Sequence, residues 1–143
     1  LSQTVVSNGA STVTSVHWVS PQITVTSQRN GISSSLTLSN VDISRSVSSA
    51  GGVVNGSTGS DTLTLTLNVP NGTWSATIAT QGAVSYDANG VPTQGSWQMT
   101  LPHNRIGLSV AAGSAMLTID NGPDGHIDYS YTFSVANLAA QAL

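Results

Sequence analysis

Asp61-Thr62-Leu63-Thr64-Leu65-Thr66-Leu67-Asn68-Val69 decides the fold class of this chain. Apolar residues fall on every second position for the whole run, a period of two that places Leu63, Leu65, Leu67 and Val69 on one face of an extended strand and the threonines on the other. No helix can hold that pattern, because a 3.6-residue turn would scatter the leucines around its circumference. The stretch predicts a half-buried β-strand with one apolar and one wet face.

Working outward, the same alternation recurs in Trp74, Ala76 and Ile78, in Trp97, Met99 and Leu101, in Ile106, Leu108 and Val110, and in Ala115, Leu117 and Ile119. Ile127, Tyr129, Tyr131, Phe133 and Val135 extend it furthest and predict a long, central strand. The first third is less regular. Ile23 and Val25 follow Pro21, then come Ile32, Leu36 and Leu38, then Val41 and Ile43, while Val13 to Val19 shows no fully polar face.

Between these runs stand six Asn-Gly pairs, at 8–9, 30–31, 55–56, 71–72, 89–90 and 121–122. Both central residues of a type I′ hairpin turn need positive φ, which Asn and Gly tolerate best, so each pair predicts a turn. The segment from Ser48 to Ser60, dense in Gly and Ser, reads as an exposed loop or hairpin tip. The expected fold is an all-β antiparallel sandwich of immunoglobulin-like or jelly-roll type, one domain spanning 1–143, with roughly nine or ten strands at sandwich spacing. Residues 1–20, with a strand beginning near Gln3, suit an edge-pairing or exchanged segment. The apolar tail 136–143, with Leu138 and Leu143, suits packing on its own domain or on another chain.

Composition points the same way and excludes several functions. Charged residues make up 6% of the chain, against about 25% in an average soluble domain. Lys and Glu are absent; the charges are Arg29, Arg45, Arg105 and six aspartates. Three scattered arginines in a chain of net charge -3 cannot build a phosphate-binding surface, so nucleic acid is not an expected partner. Without Cys there is no disulfide or thiolate metal site, and without Lys no Lys-Asn isopeptide lock. No apolar run approaches the ~20 residues of a transmembrane helix. Leu1 in place of Met is what a processed export precursor or an excised domain shows.

Few residues suggest chemistry. His17, His103 and His126 lack metal-ligand spacing, and no serine occupies a G-x-S-x-G elbow, so no catalytic residue is expected. The run Asp120-Asn121-Gly122-Pro123-Asp124-Gly125-His126-Ile127-Asp128 resembles the calcium loops of EF-hand-like surface repeats. That resemblance implies calcium ligands at Asp120, Asp124 and Asp128, with the carbonyl of His126 as a fourth. It departs from the pattern at Gly122, which has no side-chain ligand, and at Tyr131, where a bidentate Glu belongs. The same residues also satisfy a turn without metal, Pro-Asp-Gly being type I turn chemistry.

Among the tryptophans, Trp74 and Trp97 fall in register with inward sets and are expected in the core, leaving Trp18 as the candidate sugar-stacking residue. Asn55 and Asn71 head N-x-S/T sequons in expected turns and are candidate glycosylation sites in an exported chain. The sequence therefore predicts a secreted or surface-exposed structural subunit that polymerises with copies of itself through strand pairing or donor-strand exchange. A carbohydrate-binding module or adhesin domain, with polysaccharide as partner, is the alternative.

Overall fold

A computed structural model describes residues 1–122 and 124–136. It contains ten strands: β1 (Ser2–Asn8), β2 (Ser11–Arg29), β3 (Ile32–Ala50), β4 (Val53–Val69), β5 (Gly72–Thr80), β6 (Val84–Tyr86), β7 (Pro92–Thr100), β8 (Asn104–Ala111), β9 (Ser114–Asn121) and β10 (Tyr129–Ser134). All are antiparallel and all hydrogen-bond into one sheet, as expected of an all-β chain of this strand count and consistent with a sandwich. The pairing order is that of a meander. A Greek-key return, the connection that brings a fourth strand beside a first, is not among the described pairings.

Strand β6 looks like an exception to the meander because it pairs with both β4 and β7, but its registers place it in line with β5. Thr62 of β4 faces Ala79 of β5, and Gly59 of β4 faces Val84 of β6. Strands β5 and β6 are thus two pieces of one broken strand lying between β4 and β7. Thr80 patches the break: its hydroxyl accepts from the Asp61 N–H at 3.0 Å and lies 3.4 Å from the Asp61 carbonyl, while the Gln81 N–H donates to the Ser96 carbonyl.

The length of β2, β3 and β4 sets the shape. Nineteen residues span roughly 60 Å at strand rise, about three times an ordinary strand. β1 reaches only to His17 of β2, and β7 pairs β5 only between Thr77 and Thr80. Beyond those limits β2, β3, β4 and β5 continue as a four-stranded tongue. The core lies at the other end, where Val110, Ala115 and Val135 are buried with Trp97, Leu108 and Phe133 packed on them; Val41 and Val84 are the other fully enclosed apolar side chains.

Two bulges interrupt the ladders. Asn40 and Val41 together oppose Leu63, with Asn40 in the left-handed region at φ 52°, and Asn55 is an extra residue between Ser48↔Gly56 and Ser49↔Val54. The first bulge explains the irregular opening third. Apolar residues of β3 sit at Leu36 and Leu38 before it and at Val41 and Ile43 after it, a change of parity that an extra residue requires.

The structure corrects several expectations. The 48–60 segment is a hairpin whose tip is only Gly51-Gly52, with strand on both sides. Asn55-Gly56 is a bulge within β4, not a turn. The β1–β2 turn centres on Gly9-Ala10 and the β4–β5 turn on Pro70-Asn71, each one residue away from its Asn-Gly pair. Asn30-Gly31 does form a two-residue turn with positive φ at both positions. The strand expected to be long and central is β10, six residues at the sheet edge, exposed except at Phe133. Its alternating tyrosines mark a strand, but alternation carries no information about which neighbours a strand has. Of the tail 136–143, only Ala136 is among the described residues.

Two turn and packing positions give tests. Ala112 adopts φ 49° beside Gly113 at 78°, a type I′ geometry that costs a residue with a Cβ. Ala112→Asn should raise stability by about 0.5–1 kcal/mol in chemical denaturation; a loss would contradict the turn assignment. Gly95 sits at φ 137°, and a Cβ added there would come within 2.8 Å of Val84 Cγ2. Gly95→Ala should destabilise by about 1–3 kcal/mol in the same assay.

Candidate functional site

The charges of this chain are few, and two of them form its strongest ion pair. Arg45 of β3 and Asp61 of β4 form a bidentate ion pair, Nη1 to Oδ1 at 2.8 Å and Nη2 to Oδ2 at 2.9 Å. Planar guanidinium matched to carboxylate is the strong form of this interaction. Gly59 directly faces Arg45 in the ladder, and a Cβ there would collide with the guanidinium. The Arg45 side chain also lies over the Tyr86 ring, 5.4 Å from its centroid. The hydrogen bond to Asp61 holds the Arg45 pKa above its usual value. Burial pushes the Tyr86 phenol up, against the pull of Arg45. The trio ties β3, β4 and β6 together and fits a structural role.

His17 Nε2 lies 2.8 Å from Asp42 Oδ1, with both side chains about half exposed. Ser44 is the cross-strand neighbour of His17, but its hydroxyl is hydrogen-bonded to Ser60 at 2.8 Å. A nucleophile held by a base is therefore not formed by these three residues. Ser15 and Ser46 add a further hydroxyl pair at 2.8 Å, in a shallow groove of about 280 Å³ that His17, Ser44 and Arg45 also line.

In the 120–128 loop the three aspartates act on the loop's own backbone. Asp128 accepts from the Asn121 N–H at 2.6 Å, Asp120 from Gly125 at 3.3 Å, and Asp124 from His126 at 2.8 Å. Asp120 is buried, and its Oδ1 has no hydrogen-bond partner among the described residues. Its register partner Arg105 likewise has an unpartnered buried Nε. Among the described residues, no three His, Cys, Asp or Glu side chains gather closely enough to hold a metal ion.

The tryptophans separate differently from the sequence pattern. Trp97 packs on the Val110–Ala115–Val135 core, as its register implied. Trp18 stands opposite Ile43 just past the end of β1 and is 37% exposed. Trp74, expected in the core, is 67% exposed. It does face the same side as the leucines, opposite Leu67, but it lies on the tongue, where no other described strand packs over that side. Alternation gave its face correctly and could not give the cover.

Trp74 also has neighbours. The β7–β8 turn, Leu101–His103, and the start of β8 lie beside the free part of β5 and enclose with it a cleft of about 310 Å³ lined by Asn71, Thr73, Trp74, His103 and Asn104. The two sequon asparagines, Asn55 in its bulge and Asn71 in the β4–β5 turn, are both exposed. Comparison with protein-family models, with curated proteins and with solved structures finds no match to this chain. Among the described residues, no helix is long and apolar enough to cross a membrane.

The trio at Arg45 yields a pH test. The unfolded chain gives up a tyrosine proton near pH 10, whereas folded Tyr86 holds it to higher pH. The contribution of Tyr86 to stability is therefore fully present below about pH 10 and is lost as pH rises through the folded group's higher pKa. Tyr86→Phe should reduce that alkaline fall in denaturation curves taken from pH 8 to 11; an equal fall in both proteins would contradict the assignment.

Proposed function

We propose that this chain is a structural subunit of an extracellular filament, sheath or surface layer, joining copies of itself through its sheet edges. The supporting observation is that, among the described residues, β1 and β10 each pair with one strand and leave two edges of the sheet open. β1 is exposed at all seven positions, and β10 at all but one. Neither strand contains a charge or a proline, the devices that normally stop edge-to-edge pairing. Val5 and Val6 add exposed apolar surface on β1.

The geometry suggests how copies would join. With β5 and β6 counted as one broken strand, an even number of antiparallel steps separates β1 from β10, so the two edges run in the same direction. Pairing β1 with a second β1, and β10 with a second β10, gives two antiparallel two-fold contacts that alternate into an open-ended ribbon. Exchange of β1 between copies is a variant of the same chemistry, since among the described residues it makes a ladder to β2 alone. Calcium at Asp120, Asp124 and Asp128 would act on the β10 edge, which this loop enters.

A carbohydrate-binding or adhesin role is the second reading, favoured by the exposure of Trp74 and Trp18.

Light scattering and negative-stain microscopy of the purified chain, with calcium and then with excess chelator, test the first reading. Ordered polymers are expected, and Val5→Lys combined with Val6→Lys should abolish or shorten them. Loss in chelator would assign the switch to the 120–128 loop. A monomer under every condition sinks self-assembly.

A further inference from the structure

We infer that the cleft beside Trp74 binds an uncharged saccharide. This inference deepens the second reading above and is independent of self-assembly. It begins with the ladder: β5 meets β7 only from Thr77 onward, so among the described residues Gly72–Ala76 have β4 on one side and no strand on the other. The edge of the sheet is open there, and the β7–β8 turn closes the opening into a cleft of about 310 Å³, at the lower end of the size range of small-molecule sites.

The lining fits one ligand class. Trp74 presents two-thirds of its surface to solvent, a large flat apolar plate with a negative π face. The side chains of Asn71, His103 and Asn104 stand round it and make no hydrogen bond among the described residues. Each amide offers donors and an acceptor, and the imidazole offers one of each when neutral. No Asp, Arg, Lys or Glu lines the cleft, so nothing selects a phosphate, a uronate or a cation. A pyranose ring combines the matching features: an apolar C–H face for the indole and a rim of hydroxyls for the amides and the free main chain of β5. A purely apolar ligand would leave those polar groups unpaired, at a cost of about 1–3 kcal/mol for each one buried. Trp18, the tryptophan that the sequence offers for sugar stacking, sits at the end of β1, opposite Ile43, outside this cleft.

The test uses the full chain made without glycans, so that Asn71 is bare. Tryptophan fluorescence and calorimetry follow titration with neutral β-glucan, chitin, xylan and α-glucan oligosaccharides, an oligouronate and an extended uncharged peptide. Saturable binding to a neutral oligosaccharide is expected. It should weaken by about tenfold or more in Trp74→Ala, weaken less in His103→Ala, and be unchanged in Trp18→Ala. Trp74 is exposed, so Trp74→Ala should keep the far-ultraviolet spectrum of the parent. Undiminished binding in Trp74→Ala overturns the site. Binding to no neutral sugar, or to the uronate or the peptide alone, overturns the ligand class. Light scattering on the same variants reads assembly separately, so failure of one reading leaves the other standing.

Discussion

The register between β2 and β3 is the constraint on which the rest of this structure depends. From Ser11↔Ala50 to Arg29↔Ile32 the two strands pair with one constant offset, set by the Asn30-Gly31 turn. A slip of one residue would reverse every side chain relative to the sheet. The cost of such a slip is visible on the tongue. One face carries Val25, Leu36, Leu67 and Trp74 in a single cross-strand row, followed by Ile23, Leu38, Leu65 and Ala76 in the next. The other face carries hydroxyls that bond each other across the strands, Thr24 with Thr37 at 3.1 Å and Thr64 with Thr77 at 3.4 Å. Four strands must hold one register for these two faces to stay separate.

Charge scarcity makes the remaining ionic contacts carry more of the specification. Arg45 and Asp61 lie near the bulge and near the β5–β6 break, where ladder hydrogen bonds are interrupted. A bidentate pair across β3 and β4, with Tyr86 of β6 against the guanidinium, fixes the alignment of three strands where the backbone alone fixes it least. The Thr80 hydroxyl serves the same end on the β5 side. These contacts concern geometry more than stability, since a half-exposed arginine gains little from solvent-screened attraction.

Much of this was legible. The Leu-Thr alternation of 61–69 gave β4 its faces, and the runs around Trp97, Leu108 and Ala115 gave the inward faces of β7, β8 and β9. The bulge at Asn40 was also written in the sequence, as the shift of apolar parity from Leu36 and Leu38 to Val41 and Ile43; a bulge was the missing interpretation. What periodicity could not supply was cover. It assigned Trp74 and the β10 tyrosines to an apolar face, but whether anything packs on that face depends on how far each neighbouring strand extends, and strand ends are set by turns. Those turns were blurred by the Asn-Gly pairs at 8–9 and 71–72, which sit one residue from the turn centre, and by Ala112-Gly113, a type I′ turn with no Asn to announce it.

The apolar row on the tongue joins the two functional readings. In an isolated chain, Val25 at 63% exposure and Trp74 at 67% leave apolar area in water that a second layer would recover. The row is nevertheless separated from the edges proposed for strand pairing. β1 ends its ladder at His17, before the tongue begins, and β10 lies at the opposite margin of the sheet. The Trp74 cleft opens where that row ends, on the free side of β5 within the tongue. Edge pairing therefore needs neither the cleft nor the row, and a ribbon built through β1 and β10 would leave one tongue projecting from every copy. A repeated, projecting aromatic site gains apparent affinity for a polymeric ligand by multivalency even where each single contact is weak. On that geometry, the proposed assembly and the proposed recognition would use different parts of one sheet.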